Sequence, residues 1–520
     1  MPSWSFRQAH LGWRLSLVAV LALAMFAYLQ PPGQFTDPDS FYHLRLTTML
    51  RDGGILREFP WTQSALYRTI FIDHHLGYHL LLIPFISVLP ELTGLQVATV
   101  VFATLSILAM VWCLVRWRVP WWGLGALLLL TSGPFLFRLS LGKAPSLGVG
   151  VAFVAYYLIM ERRLGWLFWW TWFFTWLYSA WPLTVVMALA YVVVEALSVT
   201  PFGWHTAWVK AHSAANFKLL GVIVAGVAAG LVVNPYFPTN LLYLKQLFTM
   251  ALVSYSTFIG IGAEWYPYGP FDLPSALAYP LLVWLLATLA GVLSFKRQGA
   301  LSRTSWLMAL TFLAYTLRAR RQVEYLTPWL VLSAGLMARD YLAVGAPFDW
   351  RAAWAKLCTF LPDWLKQTYV AAALAVYFGL LVPAGLIHSV VGARQGLADG
   401  FSWQTLQPAA TWLRQNTPAR SIVFQTDWGT FPMLFYHNSH NYYLTGLDQT
   451  FMYEYNHDTY WAWIKATEGD RADVYHIAHD IFGASYLLVE KRVGIILRYV
   501  NRDPRFHKVY QDAEAIVFSL

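Results

Sequence analysis

Long apolar runs separated by short polar stretches repeat along the first three quarters of the chain. A helix needs about 20 apolar residues to cross the hydrocarbon core, with about 17 tolerated. By that measure spans fall near 13–30, 94–115, 120–137, 146–160, 165–180, 182–199, 218–234, 272–294, 303–318, 322–340 and 368–389. The apolar segment from His79 to Pro90 is too short to cross and reads as interfacial or re-entrant, so residues 31–93 form one large outer loop. A second outer loop covers 235–271. After residue 390 the pattern becomes that of a soluble domain. Pro408 to Asn416 predicts a helix, Ser421 to Gln425 and Tyr486 to Glu490 predict strands, and Lys491 to Val500 predicts a further helix. Phe506 to Gln511 and Glu514 to Leu520 predict a hairpin turning at Asp512-Ala513. The expected fold is mostly α, a polytopic membrane helical bundle of about 11 spans over 1–390. A small α/β domain over 391–520 follows it.

Composition supports a membrane reading. Of 520 residues, 58% are hydrophobic and only 12% charged, with a mean hydropathy of +0.47; an ordinary soluble domain is about 25% charged. Abundant Trp, Tyr and Phe suit two membrane–water interfaces. The net charge of +9 does not point to nucleic acid, because the cations sit in short loops between apolar runs. Arg116 and Arg118, Arg162 and Arg163, Lys210 and Lys218, Lys296, Arg297 and Arg303, then Arg339, Arg351 and Lys356 fall in alternate loops. Positive charge is retained on the cytoplasmic side of such loops. The first helix, with Arg7 and Arg14 before it and no cleavage site after it, then starts in the cytoplasm, and the C-terminal domain lies outside. Cys113 in an apolar run and Cys358 in a cytoplasmic loop exclude a disulfide or a cysteine metal site. Arg318, Arg320 and Arg321 break the charge rule by falling on the outer side, which means either a misplaced span or cations kept to hold an anion.

The outer loops hold the candidate chemistry. Asp37 and Asp39 stand where the chain leaves the first span; Asp39 or Ser40 is the expected cap of a helix over Phe41–Leu50, which leaves Asp37 for function. Asp73 and His74, with His75 and His79 nearby, are oxygen and nitrogen donors that either complete a divalent site for Mn²⁺, Mg²⁺ or Zn²⁺ with Asp37 and Asp39 or form an interfacial polar cluster. Arg138 and Lys143 at the top of a span suit a phosphate, or snorkel as ordinary interfacial cations. Glu264 is flanked by small residues and by Trp265, whose ring suits a sugar or peptide face. A local pair of Glu324 with Arg320 or Arg321 would account for one of these arginines and not for all three. In the soluble domain a turn displays Asp427 and Trp428 before Gly429, either a corner suited to reading an acceptor or a buried turn with a packed Trp.

The order of these parts is familiar. Asp37-Pro38-Asp39-Ser40-Phe41-Tyr42-His43 after the first helix, Glu264 in a later outer loop, outer arginines before a late helix, and Trp412-Leu413-Arg414-Gln415-Asn416-Thr417-Pro418 leading to Thr426-Asp427-Trp428-Gly429 resemble the oligosaccharyltransferase catalytic subunits of archaeal and bacterial type. These are GT-C membrane glycosyltransferases that use lipid-linked sugars. The resemblance implies a GT-C-like bundle in a bacterial inner membrane with its site facing the periplasm. It implies transfer of a sugar or oligosaccharide from a polyprenyl phosphate or diphosphate donor, a membrane lipid, to an acceptor protein, glycan or lipid. By position, Asp37 becomes the metal- and acceptor-binding carboxylate, Glu264 its support, and Arg318, Arg320 or Arg321, aided by Lys143 and Arg138, the holder of the donor phosphate. Asp427, Trp428, Trp265 and Tyr42 become acceptor contacts. Two features depart from the family: the loop Arg138–Ser146 lacks its second acidic motif, and its Trp-Trp-Asp-Tyr-Gly motif is reduced to Asp427-Trp428-Gly429. A metal-independent transferase using a polyprenyl monophosphate sugar, and a transporter or flippase of envelope precursors, are the rival readings.

Overall fold

In the computed structural model, which describes residues 3–197, 213–253, 255–342, 368–469 and 473–520, each predicted span carries helix. Lys210, Arg351, Lys356 and Cys358 lie outside the described residues. Gly12–Leu29, Glu91–Arg116, Ala214–Val232 and Ala372–Ala398 are each long and apolar enough to cross a membrane, and Leu76–Val88, Pro145–Met160, Pro182–Leu197 and Ala278–Leu293 are apolar but shorter. The chain is thus a multi-pass membrane protein. By length and composition the described residues give four spans, or five with one bent pair, against the larger number expected.

The chain forms two compact units. The first takes Met1–Pro31, Thr99–Gly230 and Glu264–Ala398; the second takes Pro32–Ala98, Leu231–Ala263 and Asp399–Leu520.

In the first unit small residues let helices approach closely. A Cβ on Gly150 would stand 2.6 Å from Ser106 Cα, while Ser106 Oγ donates to Ser146 O at 2.7 Å and accepts from the Gly150 amide at 3.0 Å. Such packing replaces the hydrophobic drive that lipid removes. Trp329, fully buried, lies against Phe153 and Tyr156. The span expected at 120–137 is broken: Trp122–Leu130 and Gly133–Leu139 meet at 81°. Pro134 near the start of the second piece and the Ser132 side chain, which accepts from the Phe135 amide, begin a new helix there. The Thr131 carbonyl at the break accepts from Ser389 Oγ at 2.7 Å. A freed backbone group needs a partner of this kind inside a bundle. The break carries Arg138 in the last turn of the short second helix.

The second unit is knit from three stretches of chain. Its five-stranded sheet has Ile422–Gln425 between parallel neighbours Tyr442–Tyr443 and Tyr486–Glu490, then Ala515–Ser519 and His507–Gln511 antiparallel. The expected strands and hairpin are present, and the first helix spans Gln407–Asn416. The helix expected over 491–500 is instead a turn, Lys491–Val493, and a short helix, Leu497–Val500. The 31–93 segment extends the sheet, with Thr62 bridging Tyr443 in parallel sense. It also packs an aromatic cluster: Phe59 lies 5.0 Å from Phe71, 5.3 Å from Phe435 and 6.1 Å from Phe431, ring centre to ring centre. Gln34–Phe35 pairs with Phe401–Ser402. Gly400 is required there, because a Cβ would stand 2.6 Å from Phe35 O. Phe435→Ala should remove about 3–5 kcal/mol of stability and expose the 59–71 segment to protease, read by thermal unfolding in detergent and limited proteolysis.

Candidate active site

Arg138 and Arg321 grip one carboxylate from two sides. Arg138 Nη1 donates to Glu264 Oε2, and Arg321 Nη1 donates to Glu264 Oε1 at 2.8 Å. Behind Arg138, its Nε donates at 2.8 Å to Glu324 Oε2, a carboxylate only 1% exposed. Arg321 Nη2 lies 3.3 Å from Tyr178 Oη, and the guanidinium stacks on Trp265 at 4.4 Å. Burial alone would raise the Glu264 carboxyl, but Arg138, Arg321 and then Lys143 hold it well below the usual carboxylate range. Four charges therefore alternate in sign, Glu324, Arg138, Glu264, Arg321, with Lys143 acting on the same carboxylate. Guanidiniums held this way present donors to an anion in a fixed geometry.

This arrangement corrects two expectations. Glu324 does not neutralise its neighbours Arg320 and Arg321; it pairs with Arg138, 186 residues away. Arg320 instead donates to the carbonyls of Tyr266 and Pro267, and Arg318 is exposed at the end of helix Ala300–Arg318. Both oxygens of Glu264 are occupied by arginines. The sequence did carry one signal for Glu324: an acid in the first turn of a largely apolar helix is costly unless paired.

The acidic head belongs to the second unit. Its helix is Asp39–Gly53, and neither Asp39 nor Ser40 caps it. Asp37 does the local work: its Oδ1 accepts from the Asp39 amide at 2.9 Å, and Asp39 sits in the first turn, where a negative charge meets the positive end of the helix dipole. Both acids are half-buried. Tyr42 is fully enclosed, against Phe59, Phe435 and His43. That burial takes Tyr42 out of the expected acceptor contacts.

Asp73 and His74 do not join the pair at Asp37 and Asp39. Asp73 Oδ2 accepts from His79 Nδ1 at 2.7 Å and its Oδ1 from the His75 amide at 3.0 Å. His79 Nε2 and His43 Nδ1 share a hydrogen bond at 2.8 Å. His74 Nδ1 meets Tyr67 Oη at 3.1 Å, and burial, opposed by Asp73, lowers its pKa to about 4, so the ring is neutral at pH 7. Among the described residues no three His, Cys, Asp or Glu gather as a metal-holding group. The expected set of Asp37, Asp39, Asp73 and His74 does not fit a divalent cation, because two of its members are committed to a buried hydrogen-bond network.

The turn carrying Asp427 and Trp428 lies at the carboxyl end of the strand Ile422–Gln425. Asp427 Oδ1 accepts from the Gly429 amide at 2.8 Å. With the Gln449 amide oriented to satisfy its neighbours, Trp428 Nε1 donates to it at 2.5 Å, and the Trp428 ring packs on the domain core. Beside it stand two groups that the sequence did not single out. Arg492 Nε donates to Glu490 Oε2 at 2.5 Å, and Arg492 Nη2 lies 3.8 Å from Asp427 Oδ2.

No family model and no curated protein matches the chain. Its fold is shared with solved structures of an archaeal oligosaccharyltransferase, of ArnT and of an arabinofuranosyltransferase. Similar structures include the oligosaccharyltransferase AglB of Archaeoglobus fulgidus with an inhibitory peptide and a dolichol-phosphate (TM-score 0.60, 13% identity, 94% of this chain and 70% of that one). ArnT of Cupriavidus metallidurans bound to undecaprenyl phosphate aligns over 98% of both chains (TM-score 0.55, 13% identity). The mycobacterial arabinofuranosyltransferase AftD aligns with 97% of this chain but only 39% of its own length (TM-score 0.55, 15% identity). The Archaeoglobus enzyme has also been solved with Zn and sulfate.

Glu490 gives a pH test of the charges around the Asp427 turn. Burial first, then the charges of Asp427 and Glu514, push its carboxyl from 4.5 up to about 7 against the pull of Arg492. A carboxyl raised on folding contributes stability that is full below its unfolded pKa and is lost as pH rises through the folded value. Stability should therefore fall between pH 4.5 and about 7, and Glu490→Gln should flatten that part of a melting-temperature profile.

Proposed function

We propose that the chain is a GT-C glycosyltransferase that moves a sugar or oligosaccharide from a polyprenyl phosphate or diphosphate donor to an acceptor protein, glycan or lipid, in a bacterial inner membrane with its chemistry on the periplasmic side. The observation that carries this reading is the grip of Arg138 and Arg321 on a single anion in a chain with this fold. The end-to-end alignment with ArnT, solved with undecaprenyl phosphate, and the likeness to AglB, solved with a dolichol-phosphate, support it. In this reading an acceptor oxygen or nitrogen attacks the anomeric carbon as the bond to the donor phosphate breaks and its electron pair leaves with the phosphate. Arg321, Arg138 and Lys143 stabilise the negative charge that grows on the leaving group. Asp37, oriented by the Asp39 amide, takes the acceptor proton as general base. Positioning accounts for much of the acceleration, since a phosphate ester of this type departs readily once charge is neutralised. No step passes through a metal.

The test is transfer from a labelled polyprenyl-phosphate-linked sugar by the purified full chain. Asp37→Asn should slow transfer by about 100-fold or more with the melting temperature unchanged. Full transfer by a folded Asp37→Asn variant removes Asp37 from the mechanism.

A further inference from the structure

Arg138 holds two carboxylates that differ sharply in access. The Glu324 side chain is 1% exposed at the head of a helix, whereas that of Glu264 is 25% exposed on the single turn Ala263–Trp265. Glu264 offers one oxygen to each guanidinium, the arrangement in which two arginines take two oxygens of one phosphate. Each arginine has a further partner besides Glu264. Arg138 keeps Glu324 through Nε, and Arg321 keeps Tyr178 Oη and the Trp265 ring. Removing Glu264 from between them would leave a cationic pair already aimed at one point.

We propose that Glu264 is an internal placeholder: in the lipid-free protein its carboxylate occupies the seat of the donor phosphate, and the phosphate enters by displacing it. The inference rests on the donor-phosphate reading of the arginine pair and adds a role for each acid. Glu324 is the permanent counter-ion that positions Arg138. Glu264 is the exchangeable one, which keeps the arginines from collecting other anions and makes entry a swap of one anion for another. No bond is made or broken in the exchange, and the proton inventory is unchanged because the carboxyl is ionised in both states.

The experiment measures binding of undecaprenyl phosphate to the full chain in neutral phosphatidylcholine nanodiscs, with undecaprenol as the uncharged control. Glu264→Gln and Glu324→Gln make the same change of charge within one cluster. Placeholder displacement predicts opposite results: Glu264→Gln binds undecaprenyl phosphate about tenfold tighter, and Glu324→Gln binds it more weakly, with undecaprenol unaffected in both. Equal tightening in the two variants, or weaker or unchanged binding in Glu264→Gln, overturns the proposal while wild-type binding leaves the donor reading standing. If neither the wild type nor Glu264→Gln prefers undecaprenyl phosphate to undecaprenol, the donor reading itself fails. Should Glu264→Gln fold poorly, Glu264→Asp serves instead; its carboxylate is one methylene too short to span both arginines, so it too should tighten binding.

Discussion

Taking a guanidinium out of water costs several kcal/mol unless a charge of opposite sign meets it in good geometry. Arg138 is 7% exposed at the end of a half-helix inside a broken span, and the first unit is arranged to meet that cost. The break after Leu130 directs Arg138 along the short helix, Glu324 stands at the head of another helix to receive its Nε, and the turn carrying Glu264 bridges it to Arg321. Paired with carboxylates in a place of low dielectric, these cations cannot relax as they would in water. That rigidity lets a binding site stabilise charge as it develops instead of following it.

The second unit also buries polar side chains, and satisfies them with one another. The 31–93 segment carries Asp73, His79 and His43 into a core that excludes water, and each of the three is hydrogen-bonded to the next. A half-satisfied polar network would be worse than an apolar one, so these side chains are unavailable for the open coordination that a catalytic metal needs. Aromatic rings from Phe59 to Phe435 fill the space around them. The acidic head at Asp37 and Asp39 is thereby set on a helix fixed along its buried face.

Much of this was legible along the chain, and the limit has a physical basis. Apolar runs and turn residues are local, and they placed helices at each predicted span, the strands Ile422–Gln425 and Tyr486–Glu490, and the hairpin after Phe506. Charge out of place is also local, which is why Arg318–Arg321 and Arg138 stood out as cations in search of an anion. Partner choice is not local. Glu324 looked like the neighbour of Arg321 because the two are three residues apart, yet it serves Arg138 because helix ends far apart in sequence meet in the folded unit.

The sequence alone determined that this is a multi-pass membrane protein with strands and a hairpin toward its C-terminus, because hydrophobicity, periodicity and charge act on each stretch separately. Only the tertiary structure decided that Asp37 rather than Asp39 organises the helix start, that Asp73 and His74 belong to a buried network instead of a metal, and that Glu264 is shared by two arginines. Those outcomes turn on burial and on hydrogen bonds a few ångströms long, and neither is defined until distant segments have been brought into contact.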